Sequence, residues 1–284
     1  MICGWCKINS GHLIFLMMNY KSLIWSEKDI QFVVDNSTTP NDIISGLLLN
    51  KSTEQVRLLK IRLGLHKPNN TKYDYVKDFK SITPELAYMF GFIWADGCLL
   101  KTRNVLSVNV TLKDGYYIEP IFDKVTCWLK YKRQVKNKQE QLHFAINNKE
   151  LHIFLEELEF NKKNIGFNEK VINYIHPYEK YFWHGYFDGD GTTRIYKKYL
   201  KSSCSANYNF NWDLLTILLK NLECSYSLYK RIRKSGSESA IFLSTKSSLK
   251  FLNYIYQDNI LIKNKESLLR KYNIYCDYKK LKCI

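Results

Sequence analysis

Residues 86–97 read Leu-Ala-Tyr-Met-Phe-Gly-Phe-Ile-Trp-Ala-Asp-Gly, and residues 182–191 read Phe-Trp-His-Gly-Tyr-Phe-Asp-Gly-Asp-Gly. Superposed, the two share glycine, aromatic, apolar, any residue, small, aspartate, glycine. Gly91, Ala95, Asp96 and Gly97 match Gly185, Gly189, Asp190 and Gly191, 94 positions later. An apolar run ending in one carboxylate is an odd helix, because an acid at a helix C-terminus faces the negative end of the macrodipole. The glycine that follows is the usual left-handed residue closing a helix. The small residues spaced by four, Gly91 with Ala95 and Gly185 with Gly189, lie on one helical face and allow two backbones to approach closely. Two such helices side by side bring Asp96 and Asp190 together. Paired carboxylates repel unless a proton or cation intervenes, and hard divalent ions favour carboxylate oxygen.

Both segments resemble the LAGLIDADG motif of homing endonucleases, in the form with two motifs on one chain. Asp96 and Asp190 fall on the motif's eighth position. The sixth is Trp94 in the first copy and Asp188 in the second. One copy alone would read as an apolar core helix ending in an Asp-Gly turn; two at this spacing argue against that. The resemblance implies that Asp96 and Asp190 are the catalytic, metal-binding acids for Mg²⁺ (or Mn²⁺), with the backbone carbonyls of Ala95 and Gly189 as further ligands. It also implies a staggered double-strand cut with 3′ overhangs, and a lysine near each active centre. Lys113 and Lys246, nearest in sequence to the expected strand ends, are the candidates.

Bulk properties agree with a nucleic-acid partner. The chain of 284 residues carries 43 Lys and Arg against 27 acids, a formal charge of +16. Residues 1–80, 81–180 and 181–284 carry nets of +4, +2 and +10, so the last third is the most basic. A hydrophobic fraction of 45% and an aromatic fraction of 15% fit a folded chain. No apolar run is long enough for a membrane span and none makes a convincing signal peptide, which predicts an intracellular protein, cytoplasmic or in an organelle matrix, and not secreted. Of eight cysteines only Cys3 and Cys6 have C-x-x-C spacing, with no second pair to complete a zinc site.

Residues 1–21 show no periodicity and stay unassigned. Residues 22–66 predict three short helices, the first capped by Ser26 and Asp29, the third by Ser52 and Gln55. This pattern resembles a helix-turn-helix of the Myb or sigma-factor type, with Thr53, Glu54, Arg57 and Lys60 facing the major groove. A small bundle used only for packing has the same pattern. Residues 67–82 are polar and predict a linker. Residues 83–165 then read helix, two strands, helix, two strands, helix, and residues 166–284 repeat that order before a last helix over 264–272. Within this plan helices are expected over 116–129 and 212–222, and 161–175 joins the halves. The expected fold is α+β: two pseudo-symmetric αββαββα halves whose antiparallel sheets form a saddle, preceded by a small all-α module.

A saddle of this kind presents strands to the major groove and cations to phosphates. The candidates for DNA binding are Arg103, Asn104, Lys132 and Arg133 in the first half. In the second they are Arg194, Lys197, Lys198, Lys201, Lys230, Arg231 and Arg233. The expected partner is double-stranded DNA, bound by a monomer with internal pseudo-twofold symmetry. The residues alone leave open an intron-RNA maturase of the same fold, or a non-catalytic DNA-binding regulator. Against the regulator, a relic has no reason to keep two carboxylates at helix C-termini.

Overall fold

Ser26 starts the first helix by a full capping box, its side chain accepting from the Asp29 amide while the Asp29 side chain takes the Ser26 N–H. The structure, a computed structural model, describes residues 25–37, 41–48, 51–63, 65, 73–134, 140–233 and 236–282. Residues 1–21, the break at Thr39 and Pro40 and the expected helix stop at Gly64 lie outside the described residues, as do the side chains of Arg133 and Arg233. The chain divides into two units, one ending at Tyr73 and the other beginning at Asp74.

The first unit contains α1 (Glu27–Asp35), α2 (Asn41–Leu47) and α3 (Thr53–Arg62). Ile30 and Val33 of α1, Ile44 of α2, and Val56 and Leu59 of α3 are buried together. Thr53, Glu54 and Arg57 are exposed on α3, but the Arg57 guanidinium is bound by two hydrogen bonds to Glu54. Lys60 does not face outward as its spacing predicted. It is buried, 4% exposed, because α3 is short and its apolar stripe draws the following residue inward.

The second unit begins inside the expected linker, where Asp74 caps α4 (Tyr75–Lys80) and buries Phe79. Thr83 and Pro84 then start α5 (Pro84–Asp96), the first motif helix. It runs directly into β1 (Gly97–Leu100), shorter than the expected strand because Lys101–Arg103 form a 3₁₀ turn closed by left-handed Asn104. Next come β2 (Val105–Thr111), α6 (Leu112–Val125), β3 (Leu129–Gln134), β4 (Glu140–Asn147) and α7 (Lys149–Glu157). Helix α6 begins four residues before its apolar spacing suggests, since Thr111 caps it straight out of the strand. The joining segment is not plain coil: it holds a 3₁₀ turn, Phe160–Lys162, and α8 (Glu169–Tyr174).

The second half repeats the plan with α9 (Glu179–Asp190), β5 (Gly191–Tyr196), β6 (Tyr199–Asn207), α10 (Asp213–Asn221), β7 (Tyr226–Arg233), β8 (Gly236–Leu243) and α11 (Thr245–Tyr256). Lys197 and Lys198 therefore sit in the β5–β6 turn rather than on a strand. The chain continues through α12 (Ile260–Lys263) to α13 (Leu269–Lys282), so the last helix lies further on than expected. Both sheets are antiparallel, with strand orders β1-β2-β4-β3 and β5-β6-β8-β7. That repetition of order confirms the duplicated α+β architecture.

The two motif helices are the centre of the second unit. A Cβ at Gly91 would lie 1.9 Å from the Phe182 carbonyl oxygen, and one at Gly185 would lie 2.0 Å from that of Tyr88. Only hydrogen fits at either crossing, so the backbones of α5 and α9 touch as the paired glycines predicted. Around them Tyr88, Phe90, Phe92, Phe182, Tyr186 and Phe187 are all but fully buried. The glycines after the acids differ from expectation. Gly97 (φ −76°) and Gly191 (φ −78°) are extended, not left-handed. Their need is space: a Cβ at Gly97 would meet the Ile93 oxygen at 2.5 Å, and one at Gly191 the Phe187 ring at 2.2 Å.

Candidate active site

Asp96 and Asp190 are the last residues of α5 and α9, and the glycine crossing brings these ends side by side. A Cβ on Gly189 would come within 2.4 Å of the Ala95 Cβ and 3.2 Å of Asp96 Oδ2. The first carboxylate thus lies against the last turn of the second helix. Asp96 keeps an exposed face and Asp190 is half-buried. Both carboxyls are raised above the ordinary carboxylate value. For Asp190 burial is the first cause and the negative charge of Asp96 the second, while Lys163 and then Lys271 pull it back, leaving it at about 6. For Asp96 burial again leads, opposed by Lys271 and Lys163.

These two lysines were missed by sequence reasoning, and they resolve the oddity of an acid at a helix C-terminus. Lys163 Nζ donates to the carbonyls of Trp94 (3.0 Å) and Ala95 (3.1 Å), and Lys271 Nζ to those of Phe187 (2.5 Å) and Asp188 (2.8 Å). Each ammonium thus satisfies last-turn carbonyls and offsets the negative helix end. The charges work crosswise. Lys271, fixed to α9, is the stronger pull on Asp96, and Lys163, fixed to α5, the stronger pull on Asp190. Lys113 and Lys246 are exposed in the first turns of α6 and α11, and the charge of Lys246 acts on Glu223. The signal available for Lys163 was weak, one lysine of a Lys-Lys pair in a connector.

The donor set decides which ion fits. Among the described residues no three His, Cys, Asp or Glu side chains gather, so a nitrogen- or sulfur-rich zinc site is not formed. Two crowded, mutually repelling carboxylates with adjacent main-chain carbonyls fit a hard divalent cation whose other ligands come from water and phosphate. The Ala95 carbonyl already accepts from Lys163, which leaves it one lone pair. A cleft of about 370 Å³ opens beside Asp190, lined by Lys163, Asn164, Ser205, Asn207 and Glu238 among others.

A carboxyl raised on folding binds more protons in the folded state than in the unfolded one. The contribution of Asp190 to stability therefore falls as pH rises from 3.8 towards about 6. Without divalent ions, Asp190→Asn is expected to raise stability at pH 7–8 by on the order of 1 kcal/mol after solvent screening. The gain should vanish below about pH 4. Thermal unfolding of both proteins across pH checks this, and an Asp190→Asn advantage over the wild type that does not grow through the window contradicts it.

Strand register sorts the DNA-binding candidates by face. In the second sheet Ile241 and Leu243 point to the helices, so their neighbours Ala240 and Phe242 point the other way. That outer face carries Thr192, Arg194, Lys201, Ser203, Ser205, Asn207, Tyr229 and Arg231. Lys230 pairs with Ser239 on the helix side and lies 5.1 Å above the Tyr208 ring. In the first sheet, Lys132 pairs with Leu142 and is likewise on the helix side. Arg103 and Asn104 lie at the β1–β2 turn. The outer face of the first sheet carries Asn109, Tyr131 and His143, with His143 Nδ1 2.5 Å from Asn109 Oδ1.

No protein-family model matches the chain, and no curated protein matches it. Solved structures do. The homing endonuclease I-WcaI bound to its DNA recognition sequence is similar at 18% identity over 72% of this chain and 93% of that one, with a TM-score of 0.45. I-DmoI in complex with DNA and Ca is similar at 15% identity over 63% and 92%, with a TM-score of 0.43. The LAGLIDADG meganuclease I-AabMI bound to uncleaved DNA is similar at 14% identity over 70% and 97%, with a TM-score of 0.40. None of these scores reaches 0.5, so the functional reading of this chain rests on its own residues.

Proposed function

We propose that the chain is a metal-dependent, site-specific endonuclease that hydrolyses phosphodiester bonds of double-stranded DNA as a monomer. The pairing of Asp96 and Asp190 at abutting helix ends, each with a crosswise lysine, carries this reading. Asp96 and Asp190 would hold Mg²⁺ or Mn²⁺, with the Ala95 and Gly189 carbonyls beside them. Such an ion supplies a water of lowered pKa and neutralises charge on the scissile phosphate. Lys163 and Lys271 keep two positive charges at the same spot, where negative charge builds on the phosphate oxygens. Arg194, Lys201 and Arg231 on one outer sheet face hold phosphates, and Asn109 and Asn207 offer hydrogen bonds to base edges. Pseudo-twofold placement of the two acids suits one cut in each strand. The α1–α3 unit is proposed as an accessory DNA-binding module acting through Thr53 and Arg57. Among the described residues no helix is long and apolar enough to cross a membrane, and the proposed site of action is the compartment that holds the DNA.

Purified protein with Mg²⁺ is expected to cut a DNA library at one site, and EDTA to stop it. Binding of structured RNA without DNA cutting would favour the maturase instead. Salt dependence tests the face assignment separately. Each of Arg194→Ala and Lys201→Ala should reduce the slope of log affinity against log salt by about 0.9. Lys230→Ala, on the opposite face, should leave it unchanged. Equal effects from all three would refute the assignment.

A further inference from the structure

Asp188, at the sixth motif position, is fully buried in α9, whereas Trp94 occupies the matching place in α5. A buried carboxylate is costly unless its oxygens are satisfied. Here one oxygen gathers nearly every contact: Asp188 Oδ2 accepts from the Tyr88 hydroxyl at 2.7 Å and from the Leu268 amide at 3.2 Å. His184 Nε2 lies 3.2 Å from the same oxygen. The proton on that ring can be placed. Asn259 Oδ1 accepts from the Leu261 amide, so its Nδ2 donates to Ile255 O and to His184 Nδ1, which leaves the hydrogen of a neutral imidazole on Nε2, close to Asp188 but out of line for a hydrogen bond. The second oxygen, Oδ1, has no hydrogen-bond partner.

The network joins three stretches of chain: α5 through Tyr88, α9 through Asp188 itself, and the segment entering α13 through Leu268. Three residues after Leu268 comes Lys271, 4% exposed, donating to the carbonyl of Asp188 itself. The two halves differ in a telling way. Lys163 is only half-buried and its half has Trp94 at the sixth position; Lys271 is buried and its half has an acid there. The acid occurs where the ammonium has lost its water.

We propose that Asp188 is a positioning residue: it latches the Leu268–Lys271 segment onto the second motif helix and is the buried counter-charge that holds Lys271 beside the paired acids. The latch itself is independent of the nuclease reading. Its consequence for cutting rests on that reading.

Lysine acylation mapped by mass spectrometry tests the latch directly. In the wild type Lys271 should be protected. In Asp188→Ala it should react about tenfold faster while Lys163 stays at its wild-type rate, as expected for local opening. Asp188→Asn keeps an acceptor for Tyr88 and Leu268 but loses the charge. It should fall between, at about threefold, and it decides the matter if the alanine variant fails to fold. Lys271 remaining protected in both, or Lys163 and Lys271 opening together, overturns the proposal. On a supercoiled plasmid carrying the site, Asp188→Ala and Lys271→Ala should each accumulate nicked circles, and the double variant should be no slower than Lys271→Ala. Additive losses, or equal slowing of both strands, contradict a positioning role. A wild type that cuts nothing removes the nuclease reading and leaves the labelling result to judge the latch.

Discussion

Asp96→Asn and Asp190→Asn are each expected to lower cleavage by on the order of 10³-fold or more, while DNA affinity stays within about twofold. The asparagine keeps the shape at the helix end and the space around Gly189. It removes the charge that makes the pair a cation site, and one remaining carboxylate is a weak ligand for a strongly hydrated ion such as Mg²⁺. Binding survives because the phosphate-holding cations lie on the sheet face. Neither variant should be less stable than the wild type, since Asp190→Asn removes a charge that burial disfavours and each variant relieves the repulsion between the pair. Loss of activity with retained melting temperature is therefore diagnostic. The check is a single-turnover plasmid assay in Mg²⁺ beside a binding titration in Ca²⁺. Residual cutting above about one per cent of the wild-type rate in either variant would refute the assignment of that acid.

The acids and their glycines were legible because a helix writes its packing face into the chain with a short period. Gly91 and Ala95, or Gly185 and Gly189, are one turn apart; at Gly91 and Gly185 the reason is a facing backbone oxygen 1.9 and 2.0 Å from where a Cβ would stand, and at Gly189 it is the Ala95 methyl at 2.4 Å. The αββαββα order was legible from an equally short period, since β4 places its large apolar side chains, Leu142, Phe144 and Ile146, at every second position. Lys163 and Lys271 were not legible. They act through carbonyls far away in the chain, a contact that selects only a long cation and leaves no periodic trace. The faces of Lys132 and Lys230 were missed because β3 and β7 are edge strands. Leu228 and Ile232 of β7 remain 50% and 74% exposed, so neither face carries a clean apolar signal. Lys60 misled for the opposite reason, as a long stem can follow apolar neighbours into a small core. Helix α4 is six residues long, too short for its Tyr75, Val76 and Phe79 to read as a stripe.

Gly91→Ala and Gly185→Ala should produce the largest loss of stability of any single methyl in the molecule. At 1.9 and 2.0 Å the obstructing atoms are main-chain oxygens of the facing helix, which have no rotamer to escape into. Relief requires α5 and α9 to move apart, which loosens the aromatic layer of Tyr88, Phe92, Phe182 and Tyr186 and pulls the acid pair apart at the same time. Overpacking a rigid core costs about 1–3 kcal/mol and more where backbone must shift. At the upper end, about 3 kcal/mol, the melting temperature of a unit this size falls by about 6–12 °C, and cutting should fall with it. Gly189→Ala meets a side-chain methyl at 2.4 Å and Asp96 Oδ2 at 3.2 Å, so it should disturb the acids more than the fold. Gly46→Ala gives the opposite sign. Nothing lies within 4 Å of its Cβ position inside α2, and the alanine should stabilise that helix by about 0.5–1 kcal/mol. Calorimetry on the four variants checks the order. If Gly91→Ala and Gly185→Ala melt no lower than Gly189→Ala, the two helices do not abut, and the shared cation site at their ends loses its basis.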